Sequence, residues 1–596
     1  GGVSGIEGII EFCAHNRLLV ALGTLLAVAG SVVAIRTAPL DAIPDLSDPQ
    51  VIVHTEWMGR SPSLVEDQVT YPITAQLLSA PRVRAVRGYS MFGMSFVYVL
   101  FEEGTDVYWA RSRVLEALSS LRGALPEGVE PRLGPDATGV GWVFQYALVD
   151  ESGKNDLADL RTFQDYTLKY ALTAVPGVAE VASVGGYEKQ YQVTVDPNRL
   201  RAYGITLADV ASAIRRSNRD VGGRVLEMSG REYMVRGRGY VDSLDDVEKV
   251  TVKASEGGTP VLVRDVATVS FGGDIRRGVA ELDGDGEAVG GIVVMRHGEN
   301  ALAVIERVKD RLEALRPSFP EGVDYVITYD RSDLIGRAVD TLTGTLLEEA
   351  VVVALVILIF LFHLRSALVP IVVLPIAVGL AFVPMKLMGI TSNIMSLGGI
   401  AIAIGAMVDA AIVLVENAHK RLEALGPVDE RTRVRAIVDA AKEVGPAIFF
   451  SLLVVTVSFL PVFALEGQSG RLFEPLAFTK TFAMFFSAVL AVTVAPALMV
   501  VLVRGRIRPE RDNPLTRFLI AVYEPFVHVA LHNPKTTVAI GVAAVVATIP
   551  LVPRLGSEFM PELDEGDVLY MPTTFSGVSI EEAKRALQQQ DRILRS

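Results

Sequence analysis

The sequence predicts an α-helical membrane protein with a large α+β domain standing outside the bilayer. Three features predict it: seven long apolar runs, a polar stretch of about 310 residues between the first two, and a recurrence of the first run and its acidic flank near the end of the chain. Composition agrees with them. Half of the 596 residues are apolar and mean hydropathy is +0.37, too apolar for a soluble enzyme of this length.

The apolar runs fall at residues 18–35, 346–364, 367–385, 394–415, 446–463, 481–503 and 536–553. As helices rising 1.5 Å per residue, each comes close to or exceeds the roughly 30 Å of a hydrocarbon core. The first follows Glu11, His15 and Arg17 and ends without a small-residue cleavage pattern, so it reads as an uncleaved anchor. The polar stretch alternates strand-like runs such as Ser95–Phe101 with amphipathic helices such as Tyr108–Leu121, the pattern of a folded α+β domain. The chain thus divides into an anchor segment with the first span (1–36), the large domain (37–345), spans two to six (346–503), a connecting segment (504–535), the seventh span (536–553) and a further polar segment (554–596).

Orientation follows from the cations. With the N-terminus in the cytoplasm, the loops on that side carry Lys and Arg residues from Arg365 to Lys535, whereas the opposite short loops hold only Lys386, Arg471 and Lys480. The large domain is then outside the cytoplasm, which in a Gram-negative cell is the periplasm, with the spans in the inner membrane.

His15-Asn16 recurs as His532-Asn533 and the first span as the seventh. Asp41, Pro44, Asp45, Leu46, Asp48 and Val51 recur as Glu558, Pro561, Glu562, Leu563, Glu565 and Val568. The sequence stops within a polar helical stretch, Ser579–Ser596, and is expected to be truncated early in a second repeat. Two complete copies would have about 1030 residues and about twelve spans, the duplicated layout of a secondary transporter.

Several function classes are excluded. A net charge of −13 without a clustered basic face argues against nucleic acid as a partner. The single cysteine, Cys13, excludes an internal disulfide, a Cys-ligated zinc cluster or an iron–sulfur centre within one chain. No phosphate-binding loop of the G-x-x-x-x-G-K-[ST] type occurs, so the energy for any transport comes from elsewhere than ATP. No bound cofactor is expected.

Two carboxylates stand out in the fourth span. Asp409 lies inside its apolar run, where an ionised carboxylate costs about 2.5 to 3.5 kcal/mol near the bilayer centre. Glu416, seven residues on, falls on the same helix face about 10 Å along the axis. A carboxylate that exchanges protons with a water-filled path changes its attraction for neighbouring cations, which makes Asp409 a proton-coupling candidate and Glu416 a weaker one. The competing readings are a permanent structural pair for Asp409 and a place at the cytoplasmic interface, beside Asn417 and His419, for Glu416.

Methionines in or beside the spans include Met385, Met388, Met395, Met407, Met484 and Met499. Thioethers are soft, uncharged ligands suited to Cu(I) and Ag(I), and methionine is equally an ordinary gap-filling residue. Met571, in Tyr570-Met571-Pro572, lies in a polar region without lipid to face. His528 and His532 share the i, i+4 spacing, but no Glu of an HExxH pattern lies between them and Pro534 follows closely, which argues against zinc there.

Four stretches carry a resemblance: Asp41–Gln50 (DAIPDLSDPQ), Gly134–Trp142 (GPDATGVGW), the Asn393–Lys420 run and Gly566–Pro572 (GDVLYMP). With them the chain resembles the heavy-metal-efflux branch of the resistance-nodulation-division (RND) transporters, and within it the copper/silver-exporting Cus-type inner-membrane pumps. The resemblance implies a proton-driven homotrimer whose periplasmic part holds ferredoxin-like pore subdomains and a docking subdomain, and which works with a periplasmic adaptor and an outer-membrane channel. It implies a proton-relay role for Asp409 and a Cu(I) or Ag(I) site for Met571. Met395, Met407, Met484 and Met499 match methionines that step the ion through the membrane. Leu414 departs from the pattern, standing where the Cus-type pump has methionine. Divalent metals such as zinc, cobalt or cadmium, or organic compounds, are the alternative cargo; a membrane-anchored sensor is the alternative class.

Overall fold

The structure is a computed structural model describing residues 2–121, 123–254, 258–276, 278–361, 363–426, 428–504, 513–556, 566, 568–575 and 577–596. Most of the second-copy acidic segment, Glu558 to Glu565, lies outside the described residues. Among the described residues, seven helices are long and apolar enough to cross a membrane: Arg17–Thr37, Arg331–Leu361, Leu364–Leu387, Ile394–Leu425, Glu430–Ala464, Gly467–Val492 and Pro534–Arg554. They fall on the seven apolar runs, but several reach well beyond them.

The extensions have one cause. An apolar run ends where charges begin, whereas a helix ends where its backbone is capped, so polar first and last turns escape a hydropathy reading. The fifth helix starts at Glu430 behind the Asp429 cap, which places Arg433, Arg435 and Lys442 on a helix and not in a loop. The sixth run is two helices, Gly467–Val492 and Val494–Leu502, separated at Thr493. Lys480, read above as a loop cation, is inside the sixth span, only 6% exposed, with its ammonium over the Phe459 ring at 3.0 Å.

Spans two to six share a core in which Ile400, Ala403, Met407, Leu414, Met484 and Met499 are buried. The fourth and sixth spans approach closely at Gly399, where an added Cβ would stand 2.5 Å from the Leu476 carbonyl oxygen and 2.2 Å from Thr479 Oγ1. Small residues at such crossings let backbones touch. Gly399→Ala is expected to force the pair apart and cost about 1–3 kcal/mol, read as a shortened half-life of the folded protein in detergent at raised temperature.

Two compact units divide the chain: 1–143 with 295–306 and 330–571, and 144–294 with 307–329 and 572–596. Outside its spans, the first unit contains β1 (Gln50–Glu56), β2 (Val83–Met91), β3 (Met94–Phe101) and β4 (Arg132–Leu133), with helices between β1 and β2 and between β3 and β4. The sheet order β2-β3-β1-β4 with this β-α-β-β-α-β succession is ferredoxin-like. Its buried face, including Val51, Val53, Val97 and Val99, packs against Val69, Ile73, Val114 and Leu118 of the helices.

The second unit repeats the design. Strands Val323–Asp330, Trp142–Asp150, Val289–Met295 and Val178–Gly185 form a sheet in that spatial order, again ferredoxin-like. Between Val178–Gly185 and Val289–Met295 the chain inserts a separate small core built from residues such as Leu200, Val210, Val247 and Val263, and an exposed hairpin, Val221–Met228 with Arg231–Gly237. The last helix, Ile580–Arg595, is held in this unit by Arg592, which donates to the Gly284 carbonyl at 3.0 Å, and by an ion pair between Lys584 and buried Glu287.

Candidate proton and metal site

The fourth span is capped at its start by Asn393, whose side chain accepts from the Ser396 backbone N–H at 2.9 Å while Ser396 returns the contact. From there the helix runs unbroken to Leu425 and presents two unlike faces. Ala403, Met407, Ala410, Leu414 and Ala418 are buried, whereas Ile402, Gly405, Asp409 and Val413 are exposed. Met407 and Asp409, two positions apart, point about 200° away from one another around the axis. Among the described residues, no side chain is hydrogen-bonded or ion-paired to the Asp409 carboxylate. Glu416 continues the Asp409 side toward the helix end, where it pairs with Lys420 at 2.5 Å.

Of the sequence-predicted methionines, Met407, Met484 and Met499 are brought into one buried core, together with Met385 and with Leu414 at the departing position. Met395 is half-buried near the start of the same helix and is not in that core. Met571 is 75% exposed, apart from the buried group. His528 and His532 do share one helix face, their rings 6.2 Å apart. Among the described residues, no three His, Cys, Asp or Glu side chains are placed to hold a metal ion.

Two of the four resembling stretches, with Ser392 just ahead of a third, converge on a contact that sequence patterning does not reveal. Arg331, which opens the second span, pairs with Asp41 at 2.8 Å and donates to the Val140 carbonyl at 2.5 Å. The Asp41 backbone N–H donates to Ser392 at 3.1 Å, immediately before the cap of the fourth span. Burial pushes the Asp41 carboxyl above the usual aspartate range against the pull of Arg331. Nearby in sequence, Asp48 accepts from Arg471 of the sixth span at 2.9 Å and from Arg84 at 2.6 Å, and these guanidinium groups hold its carboxyl below the ordinary range. Arg471 also donates to the Leu46 carbonyl and pairs with Glu103. The acidic segment after the first span is therefore tied to the second, fourth and sixth.

A second missed cluster lies where the third and fourth spans meet. Ser366 Oγ, fully buried, is 2.7 Å from His363 Nδ1 and 2.6 Å from His419 Nε2, and the two rings stand edge to face. The signal was the three residues themselves, but 53 positions separate Ser366 from His419, so no local spacing rule connects them.

Seven membrane-capable helices among the described residues, two ferredoxin-like subdomains between the first and second, and an ionisable side chain on the open face of a span define a polytopic membrane protein with the RND transporter fold. The chain belongs to the AcrB/AcrD/AcrF family, which it matches over residues 9–596. It is 56% identical over 598 residues to the cation efflux system protein CusA of Escherichia coli, covering 99% of this chain and 57% of that protein. Against the cobalt-zinc-cadmium resistance protein CzcA of Cupriavidus metallidurans the identity is 35% over 589 residues, 97% of this chain and 55% of that protein. The crystal structure of a heavy metal efflux pump superposes with a TM-score of 0.84 at 29% identity, covering 98% of this chain and 56% of that one. The chain spans little more than half the length of the curated relatives it matches.

Proposed function

We propose that this chain is the larger part of a proton-driven exporter of soft monovalent metal ions, Cu(I) or Ag(I), and that Asp409 couples proton movement to export. The observation that carries the reading is the position of Asp409 on the uncovered face of the fourth span. A carboxylate at that depth does not face lipid; it faces protein or a water-filled path. In the complete transporter that path supplies the proton. Protonation removes the charge, lowers the cost of leaving water and favours a second position of the span, so the gradient drives a conformational cycle.

The cargo follows from donor chemistry. Thioethers on Met571 and in the membrane core suit Cu(I) and Ag(I), whereas zinc, cobalt and cadmium call for imidazole, carboxylate or thiolate sets. The higher identity to CusA than to CzcA points the same way. The transporter works as a homotrimer in the inner membrane of a Gram-negative cell, its large domain in the periplasm, joined to a periplasmic adaptor and an outer-membrane channel. It is a cation/proton antiporter and not an enzyme.

Growth of a metal-sensitive host carrying the full-length protein, its adaptor and its channel tests the cargo. Resistance is expected against silver and copper and not against zinc, cobalt or cadmium. Resistance confined to the divalent metals would replace this reading with the divalent one.

A further inference from the structure

We propose that the tip of the first ferredoxin-like subdomain is a surface binding site for a soft monovalent cation of the Cu(I)/Ag(I) class, formed by the thioethers of Met58, Met91 and Met94. Met91 and Met94 are paired directly across the β2–β3 hairpin, and Met94 is also paired with Glu56 of β1. Directly opposed residues of antiparallel strands have Cβ atoms about 4.5–5.5 Å apart and on the same face. That face is the solvent side of the sheet, because Ser95 and Val97, the alternate residues of β3, are buried.

The loop after β1 brings the third thioether against the turn that joins Met91 to Met94. The Trp57 backbone N–H donates to the Gly93 carbonyl at 2.8 Å and the Gly93 N–H to that of Arg60 at 3.0 Å, laying Met58 over the hairpin turn. Gly93 has φ +70, and a Cβ on it would come within 3.0 Å of Met58 Sδ, so the sulfur rests against the turn that joins Met91 to Met94. Met58 also borders a 290 Å³ cleft shared with His54, Glu56, Glu130 and Arg132. His54 and Glu56 alternate with buried Val53 and Thr55, so they belong to the solvent face of the methionine pair.

The donor set selects its ion. Three neutral sulfurs, with one imidazole at the edge of the cleft, offer a polarisable shell to a soft ion, and only two carboxylates, opposed by Arg132, to a hard one. Met58 and Met91 are 46% and 49% exposed, so an ion reaches them without local unfolding. Large apolar side chains held at a turn in the open gain little from burial; as ligands they gain from the ion. The inference rests on the soft-ion reading of the cargo, to which it adds a place of first capture separate from Met571 and from the membrane core.

Oxidation of methionine by dilute peroxide, followed residue by residue by mass spectrometry on the full-length protein in detergent, tests it with Ag(I) as probe. Met228 and Met234, exposed at 62% and 83% on the hairpin of the other unit, serve as internal controls. Ag(I) is expected to slow oxidation of Met58, Met91 and Met94 about tenfold at a free concentration roughly ten times the dissociation constant, and to leave both controls unchanged. Replacing all three by leucine, which conserves volume, is expected to remove one equivalent of bound Ag(I) in equilibrium dialysis. Protection of Met571 without protection of the three would overturn the site and leave the soft-ion reading standing. Equal protection of the controls would overturn it as non-specific adsorption, and no protection at any methionine would overturn both.

Discussion

Asp409→Asn in the full-length transporter is expected to reduce copper and silver resistance to that of cells lacking the protein, with its level in the membrane unchanged. Asparagine matches the volume and polarity of a protonated aspartate but neither takes up nor releases a proton. The substitution relieves the cost of about 2.5–3.5 kcal/mol for holding a charge in the span, so the protein should be at least as stable while the proton-dependent step is lost. Met407→Leu is the informative contrast. It changes the buried face of the same helix at conserved volume, costs less than about 1.5 kcal/mol, and tests whether the thioether contributes to ion passage apart from packing. Quantitative immunodetection alongside growth on graded silver separates a folding defect from a coupling defect.

Arg331→Met is expected to produce the largest loss of stability of any single substitution discussed. Arg331 is buried, and it neutralises Asp41 while satisfying the Val140 carbonyl. Removing one partner of a buried pair leaves the other charge uncompensated, at a cost of about 3–5 kcal/mol. The double variant Asp41→Asn with Arg331→Met is expected to recover part of that, since no buried charge remains. Because large membrane proteins unfold irreversibly, the measurement is the rate of loss of folded protein on heating in detergent, and the double variant should decay more slowly than Arg331→Met alone. Equal rates for the wild type and Arg331→Met would remove the contact from the stabilising framework.

The spans were legible because a twenty-residue apolar helix leaves a signal that few other structures imitate. Their ends were not, because a capped helix continues through charged turns: Glu430 to Gly445 lie before the apolar run of the fifth span, and Lys480 within the sixth helix looked like the end of a loop. Asp409 was legible as a single anomaly, a carboxylate among apolar neighbours. The Asp41–Arg331 contact was not, since 290 positions separate its partners and each residue alone looks like an ordinary surface charge. The same limit hides the Ser366 bridge between His363 and His419 and the approach of Met58 to the turn between Met91 and Met94: strand register, a loop path and helix packing create these neighbours. The methionine core illustrates the intermediate case. Met407, Met484 and Met499 stand out in the sequence by their chemistry, and helix packing joins them, whereas Met395 and Met571 stand apart.

Simultaneous recording of proton and Ag(I) movement in proteoliposomes containing the full-length protein tests the coupling role of Asp409 most directly. With an imposed pH gradient, wild-type protein should move silver against protons, and the Asp409→Asn variant should move neither. Gradient-dependent silver transport that persists undiminished in the variant would contradict the account.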